Sequence, residues 1–388
     1  MGDESSLHEK TGARYAVGLT CGGSCTGIDA ALVRIKGSGP GLHLKLIKFA
    51  QFPHTPGLRN RLLTVRKDAR EIALLNFELG ENLGEAALEM IKGAREDSCE
   101  VDFVACQGHS VGYYPARGSN SVVGALQIGE PAVIAELTEC PVVSDFRARD
   151  LAAGGQGRPL EAYADWVLFA REGRTVACLH LGSVVGLSVI PPNPEDAIAF
   201  DVGPGNLAID GAMSLLTSGN QDMDAGGRAA AKGVVIDEFL DYLLDHPYFG
   251  QVPPKGTGRE EFGADLYLRD ALAGRRSHSL YDLMATVTTS VAYNVVRAYN
   301  RFVKPRFDVT RLIVTGGGAA NKTLCHHIKS GIPDAVFRVS AEYGLPPKAF
   351  DACATAILGN ETICGNPANL PQATGARYPV ILGTITPA

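Results

Sequence analysis

Four glycine-rich turns, each at the end of an apolar run typical of a strand, restrict most strongly how this chain of 388 residues can fold. Glycine at a strand end leaves backbone N–H groups accessible, so they can bind an anion without a side chain in the way. Tight hairpins also need glycine, and any one of these turns alone is explained by folding. Together they favour a nucleotide-binding cleft, and they lie at residues 21–27, 180–186, 202–206 and 315–321.

None of these turns has the spacing of a P-loop, GxxxxGK[ST]. The turn at 315–321 also lacks a complete GxGxxG followed by an acidic residue about 20 positions later. P-loop and dinucleotide-binding folds are therefore poor explanations, and the turns belong to a different arrangement of strands and helices.

The order of elements around the turns recurs along the chain. Residues 15–19 and 30–35 read as strands on either side of the first turn, and helical spacing follows over 58–92. Residues 175–192 again form two apolar runs around a turn, followed by a helix at 207–216. This repetition predicts two similar α/β lobes with mixed sheets.

The composition of the chain indicates which kinds of molecule it can bind. A formal net charge of -6 without a clustered Lys/Arg segment argues against binding to nucleic acid or to anionic membranes. No apolar run approaches the roughly 20 residues that span a bilayer, and the N-terminus lacks the pattern of a secretory signal. We expect a cytoplasmic protein that acts on small molecules.

Cysteine usage predicts reduced thiols. The nine cysteines form an odd set with no CxxC pair, so neither a disulfide framework nor a zinc site is indicated. Cys21 and Cys25 flank the first turn, where backbone N–H groups could lower the pKa of a thiol. Packing is the simpler explanation for both.

A second signal is the charged segment at residues 144–160. It places Asp145, Arg147, Arg149 and Asp150 ahead of a Gly-Gly-Gln-Gly bend. Charged groups gathered at a strand end usually line a cleft, and an arginine beside a carboxylate favours the ionised form that a general base requires. A surface ion pair explains the same spacing equally well.

Six motifs, read in order over residues 15–387, resemble the anhydro-N-acetylmuramic acid kinase family, which includes fungal levoglucosan kinases. The match to the family signature is nearly complete at 144–160. The motifs are GLTCGGSCTGIDAALV (18–33), SDFRARDLAAGGQGRPL (144–160), FDVGPGNLAID (200–210), PPKGTGREEFG (253–263), VTGGGAANKTL (314–324) and TGARYPVILGTITP (374–387).

The resemblance implies a two-lobed α/β ATPase fold of the actin-like, sugar-kinase (ribonuclease H-like) type, with mixed five-stranded sheets. Its predicted lobes are residues 1–128 plus 366–388, and 129–365. Members open a 1,6-anhydro bond with water and phosphorylate the same sugar at position 6 from ATP with Mg²⁺. The partners implied are an anhydrosugar and ATP, and a homodimer is left open.

The same resemblance assigns roles to individual residues. Asp150 aligns with the carboxylate that activates water, and Asp351 stands in place of a family glutamate near the metal. His109, Ser110, Arg147 and Gln156 are assigned to the sugar. The residues assigned to ATP are Gly22, Gly23, Ser24, Cys25, Thr26, Gly27, Asp29, Gly182, Gly203, Pro204, Gly205, Asn206, Gly316, Gly317, Gly318 and Asn321.

The chain departs from the family pattern at the turns assigned to ligands. Gly23 and Thr26 stand where the family has Thr and Asp, and His180 and Ser183 replace Asn and Gly of another turn. Three readings stay open: an anhydrosugar kinase, a kinase for an ordinary sugar hydroxyl, and a nucleotide- or sugar-binding relative with weakened catalysis.

Overall fold

The computed structural model describes residues 12–65, 67–96, 99–115, 123–170 and 173–388. Its contacts divide the chain into two compact units, which are described separately below. Unit 1 comprises Met1–Arg171 and Ala349–Ala388, and unit 2 comprises Glu172–Lys348. This division differs from the predicted lobes, because 129–171 and 349–365 fall in the same unit as the first strands.

Strands and helices alternate as the sequence predicts. The strands are β1 (Arg14–Cys21), β2 (Gly27–Lys36), β3 (His43–Pro53), β4 (Phe103–Cys106), β5 (His109–Tyr114), β6 (Gly124–Ile128), β7 (Val142–Ser144), β8 (Val176–Leu181), β9 (Val184–Ile190), β10 (Ile198–Pro204), β11 (Arg311–Thr315), β12 (Val336–Val339) and β13 (Thr384–Thr386). The helices are α1 (Pro56–Thr64), α2 (Ala69–Glu96), α3 (Pro131–Thr138), α4 (Phe146–Ala152), α5 (Glu161–Phe169), α6 (Asn206–Leu216), α7 (Asp237–Leu244), α8 (Arg259–Phe262), α9 (Ala264–Tyr267), α10 (Arg269–Ala273), α11 (Leu280–Ala298), α12 (Lys322–Gly331), α13 (Phe350–Ile363) and α14 (Pro371–Thr374).

Each unit is built on a mixed sheet of the same topology. In unit 1 the order is β13-β7-β4-β1-β2-β3; β1 and β2 form the first hairpin, and β4 and β7 run parallel to β1. In unit 2 the order is β10-β9-β8-β11-β12, with β8 and β9 as the hairpin and β11 and β12 parallel to β8. The shared order of five strands confirms the predicted pair of similar α/β lobes of the actin-like, sugar-kinase type.

Helix α13 contacts the sheet of unit 1 at very short range. Almost every residue of α13 is buried, and it crosses β1 at Gly18. A Cβ added at Gly18 would lie 1.9 Å from the backbone oxygen of Ala352. The core of this unit therefore depends on a glycine within a strand, where glycine commonly marks close approach of another backbone.

Apolar residues at helical spacing over 279–302 predict a helix. The structure confirms it as α11, which begins after Ser279. The Ser279 side chain accepts a hydrogen bond from Asp282 N and so caps the first turn. Beyond α11 the chain forms one π-helical turn, Tyr299–Val303.

Gly80 and Gly84 interrupt the apolar spacing of 58–92, yet α2 runs unbroken through both. Added Cβ atoms would lie 3.0 Å from Glu130 O at Gly80 and 2.6 Å from Leu137 Cδ1 at Gly84. These glycines allow α3 to approach α2 closely.

Among the described residues, no helix combines the length and apolar character needed to cross a membrane.

Candidate active site

The glycine turns at 180–186 and 202–206 lie against each other in unit 2. Gly205 N donates to Ser183 O at 2.9 Å, and Asn206 N donates to Gly182 O at 2.9 Å. A Cβ on Gly205 would lie 2.5 Å from Gly182 O, so only glycine permits this approach. The start of α6 is therefore fixed to the β8–β9 hairpin.

The turn at 315–321 completes this surface. Gly316 has a φ of +82°, and a Cβ there would lie 2.8 Å from Leu181 C and O. By contrast, a Cβ on Gly317 would have only Asn206 Nδ2 within 4 Å, at 3.8 Å. Asn321 caps α12 by accepting from Leu324 N at 3.0 Å. The three turns thus meet and leave the backbone at Gly317 exposed.

Residues 224–227 join the same surface. They stand where the resembled family has DKDG, and the resemblance predicts a ligand-facing turn there. Thr323 Oγ1 donates to Gly227 O at 2.8 Å, and a Cβ on Gly227 would lie 2.1 Å from Asn321 Oδ1. Asp224 accepts from Ala229 N at 2.8 Å and from Ala230 N at 3.0 Å. The structure adds the contact with Asn321, which the sequence alone does not show.

Asp201 and Lys255 are two buried charged residues of unit 2. The polar composition of residues 251–264 predicts a loop, yet Lys255 within that segment is only 5% exposed. Asp201 is completely buried; its N donates to Lys255 O at 3.0 Å, and its Oδ2 accepts from Thr257 N at 2.9 Å. The lysine side chain lies over the ring of Tyr248 and donates to the carbonyl oxygen of that residue.

Burial lowers the pKa of Lys255 from 10.5 to about 8, although the Asp201 carboxylate opposes the shift. A pKa below its unfolded value means that folding releases a proton between those two pH values. We therefore expect the unfolding free energy of the wild type to rise by about 3 kcal/mol from pH 8 to above pH 10, relative to Lys255→Met. Urea unfolding of both proteins at several pH values measures this difference. If the unfolding free energies of the two proteins changed in parallel with pH, the lowered pKa of Lys255 would be contradicted.

In unit 1, the first glycine turn joins β1 to β2. Cys25 N donates to Gly22 O at 2.9 Å, closing a four-residue turn. Gly22 and Gly23 are exposed, and a Cβ on Gly22 would have nothing within 4 Å. Thr26 Oγ1 lies 3.3 Å from Ser24 Oγ. Nearby, Asp29 accepts from Gln51 Nε2 at 2.6 Å, and Gly27 meets Phe52 O closely.

The residues assigned to the sugar are grouped around Tyr113 in unit 1. Arg147 Nη1 donates to Ser110 Oγ at 2.9 Å, and its guanidinium lies 5.5 Å from the Tyr113 ring centroid. The Tyr113 hydroxyl donates to Gln156 O at 2.8 Å. His109 is buried and lies 3.6 Å from the Cys25 sulfur, which links this group to the first turn. The structure thus brings together the four residues assigned to the sugar: His109, Ser110, Arg147 and Gln156. Their role in sugar binding stays a prediction.

Asp150, the predicted base, is completely buried in unit 1. Its carboxylate accepts three hydrogen bonds: from Gly157 N at 2.7 Å, Asn369 Nδ2 at 2.8 Å and Thr374 Oγ1 at 2.7 Å. These contacts tie the 144–160 signature to residues near the C-terminus. In this arrangement Asp150 crosslinks the fold, and that role is independent of any part in proton transfer.

Asp145 and Asp351 are two accessible carboxylates in the functional motifs of unit 1. Asp145 is exposed, has a φ of 55° in the left-handed region, and has its pKa raised by partial burial against a hydrogen bond from Ala148. Asp351 is exposed in the first turn of α13. Across the described ranges, no three His, Cys, Asp or Glu side chains are arranged to hold a metal ion. Mg²⁺ is commonly bound by one or two carboxylates plus substrate phosphates, so one exposed carboxylate fits that mode.

Two solved structures show a distant likeness to this chain. A ROK family glucokinase from Streptomyces griseus, in complex with glucose and AMPPNP, is 13% identical with a TM-score of 0.39, covering 88% of this chain and 98% of its own. The component A of (R)-2-hydroxyglutaryl-CoA dehydratase from Acidaminococcus fermentans is 12% identical with a TM-score of 0.40, covering 90% and 99%. The fold assignment rests on the sheet topology.

Sequence relatives are much closer. Residues 14–388 match the family model described as anhydro-N-acetylmuramic acid kinase. A protein of that name from Caldanaerobacter subterraneus is 40% identical over 385 residues, covering 96% of this chain and 97% of its own. Another from Clostridioides difficile is 38% identical over 379 residues, covering 96% and 98%. The chain therefore belongs to the anhydro-N-acetylmuramic acid kinase family.

Proposed function

We propose that this protein opens a 1,6-anhydro sugar, with 1,6-anhydro-N-acetylmuramic acid or a levoglucosan-like sugar as substrate, and phosphorylates it at position 6 from ATP. The observation that carries the proposal is the meeting of three glycine turns in unit 2, where Gly205, Gly316 and Gly318 fit only as glycine. Phosphoryl transfer relies mainly on positioning and charge neutralisation, which backbone N–H groups at such turns supply. Membership of the kinase family supports the same reaction.

Mg²⁺ would accompany ATP and neutralise charge on its phosphates. Asp351 is the residue of this chain that we assign to it, because its carboxylate is exposed at the start of α13. The N–H groups near Gly22 and Gly317 are assigned to phosphate, since both glycines are exposed.

The base that activates water is assigned by the sequence to Asp150, and this stays a prediction. Three donors already bind its carboxylate, so proton transfer would have to compete with a structural role. Asp201 is the second candidate. It lies within β10, directly before the 202–206 turn, and its carboxylate acts on the perturbed pKa of Lys255. Perturbed titratable groups cluster at functional sites.

The activity test incubates the protein with Mg-ATP and three sugars: 1,6-anhydro-N-acetylmuramic acid, levoglucosan and glucose. We expect ADP and a sugar 6-phosphate from an anhydrosugar, with oxygen from ¹⁸O-labelled water at the anomeric carbon. Phosphorylation of glucose alone would favour an ordinary sugar kinase. ATP binding without turnover on any sugar would favour the catalytically weakened binding protein, which the loss of a carboxylate at Thr26 also favours.

Asp150→Asn and Asp201→Asn separate the two candidate bases. We expect Asp150→Asn to lower kcat by about 10²- to 10⁴-fold. It should also lower the melting temperature, because an amide cannot accept all three hydrogen bonds. Lost turnover in Asp201→Asn with turnover retained in Asp150→Asn would assign the base to Asp201, and full activity in both variants would contradict carboxylate activation at either position.

A further inference from the structure

A cavity of about 320 Å³ in unit 2 lies beside the end of α11. Two arginines line it: Arg297 belongs to the last turn of α11, and Arg301 belongs to the π-helical turn that follows. None of the residues assigned to ATP, to the sugar or to Mg²⁺ lines this cavity. Single π-helical turns occur frequently at functional sites, so the cavity is a candidate for a second binding site.

Neither arginine forms an ion pair with a carboxylate within the part of the chain that the structure describes. Arg297 Nη2 donates to the uncharged amide oxygen of Asn294 at 2.9 Å. The guanidinium of Arg297 lies 5.3 Å from the ring centroid of Phe249, and that of Arg301 lies 4.9 Å from the ring centroid of Phe302. The two positive charges are therefore held by aromatic and amide groups and are not neutralised.

A third cation adds to the positive charge around the cavity. Burial is the main cause of the lowered pKa of Lys255, and the charges of Arg297 and Arg301 lower it further. Burial also lowers the pKa of Arg297, and the charge of Arg301 adds to that shift. Three cations thus repel one another over a short range, and a bound anion would relieve this repulsion.

The other titratable residues of the lining do not neutralise the arginines. Asp245 is exposed, so solvent and salt screen its negative charge. His246 Nδ1 accepts a hydrogen bond from Tyr248 N at 3.3 Å, which leaves the proton of the neutral ring on Nε2. The cavity therefore keeps an excess of positive charge.

We propose that this cavity binds the phosphate group of a small molecule between Arg297 and Arg301. The planar fork of a guanidinium pairs with two phosphate oxygens at once. A phosphate dianion matches two arginines with a lysine nearby better than a carboxylate, which carries a single charge. The cavity is larger than a bare phosphate and reaches the lower end of the range for small-molecule pockets, about 300 Å³. The ring of Phe249 gives the rest of the molecule an apolar surface.

Phe249 connects the cavity with the 202–206 turn, because a Cβ added at Gly203 would lie 2.6 Å from Phe249 Cε1. Phosphate bound at the glycine turns assigned to ATP is therefore the competing explanation for any affinity that is measured. Substitutions at the two arginines separate these sites, since neither arginine belongs to a glycine turn. The phosphate site of the cavity does not depend on the proposed kinase reaction.

Isothermal titration calorimetry on the full chain measures binding of inorganic phosphate, acetate and glycerol 3-phosphate. We expect phosphate to bind about tenfold or more tightly than acetate, because it forms charge-assisted hydrogen bonds with both arginines. Glycerol 3-phosphate should bind at least as tightly as phosphate, because the cavity has room for its glycerol part. Absence of phosphate binding, or acetate binding of equal strength, would overturn the proposal.

Three variants locate the site. We expect Arg297→Gln and Arg301→Gln each to weaken phosphate binding about tenfold or more, since each removes charge-assisted hydrogen bonds. Arg306→Gln is the matched control and should bind within about twofold of the wild type, because Arg306 is exposed and does not line the cavity. Its guanidinium lies over the Phe307 ring much as that of Arg301 lies over Phe302.

Circular dichroism melting identifies any variant that fails to fold, and Arg301→Gln keeps the test decisive because Arg301 is exposed. Arg301→Lys keeps the charge but loses the planar fork, so its phosphate affinity should fall between those of the wild type and Arg301→Gln. Phosphate affinity that is the same in the wild type, Arg297→Gln and Arg301→Gln would place the anion elsewhere. Equal losses in Arg301→Gln and Arg306→Gln would show a general effect of net charge. Either result would overturn the proposal.

Discussion

Gly18→Ala is expected to lower the unfolding free energy by at least about 3 kcal/mol, since it forces extra volume into a closed core. The added Cβ would lie 1.9 Å from Ala352 O and 3.2 Å from Ala356 Cβ. The nearest atom belongs to the backbone of α13, which cannot rotate away as a side chain would. The helix must shift from β1, and the buried contacts along both elements weaken together.

Gly57→Ala is the matched control, because an added Cβ there has nothing within 4 Å and α1 suits alanine. Circular dichroism during urea unfolding measures both variants. We expect Gly57→Ala to equal or exceed the wild type in stability. Equal stability of the two variants would show that α13 does not lie this close to Gly18.

Gly155→Ala is expected to cost about 3 to 5 kcal/mol, the usual effect of disrupting a buried charged group. Its Cβ would lie 2.2 Å from Asp150 Oδ2. The carboxylate would have to move and would lose hydrogen bonds from Gly157, Asn369 and Thr374. Gly155 of the 144–160 signature is thereby explained by packing against Asp150, whereas its neighbour Gly154 has a φ of +90°.

A double-mutant cycle separates this clash from a general effect of alanine in the bend. Asp150→Ala alone should also destabilise the protein strongly, because three donors lose their acceptor. Adding Gly155→Ala to it should cost less than about 1 kcal/mol, because the clashing carboxylate has gone. Additive costs would mean that Gly155 is required for a reason other than Asp150.

Predictions based on glycine were correct at some positions and wrong at others, depending on what lies next to the glycine. The turns at 180–186, 202–206 and 315–321 were predicted as one cleft, and in unit 2 they do meet. Gly80 and Gly84 also read as interruptions, yet they serve the contact between α2 and α3. A glycine permits the close approach of any group. Only the tertiary structure shows whether a helix packs against the glycine or whether the space beside it stays open.

For the charged residues too, the sequence shows where they occur but not which groups they contact. The charged segment marked Asp150 as functional because acids and arginines are concentrated there, but its three donors include Asn369 and Thr374, more than 200 residues away. Lys255 stands in a polar segment of prolines and glycines, a composition typical of a loop. Its burial over Tyr248 depends on the return of this segment to β10, where Asp201 N donates to Lys255 O.

The sequence by itself therefore determined the local features of the chain. These are the alternating strands and helices, the glycine turns at strand ends, and the six ordered motifs that identify the family. The tertiary structure alone decided which side chains meet, because contacts between distant segments depend on packing that local residue patterns do not encode. That is why the thiols of Cys21 and Cys25 were visible in the sequence, whereas their contacts with His54 and His109 were not.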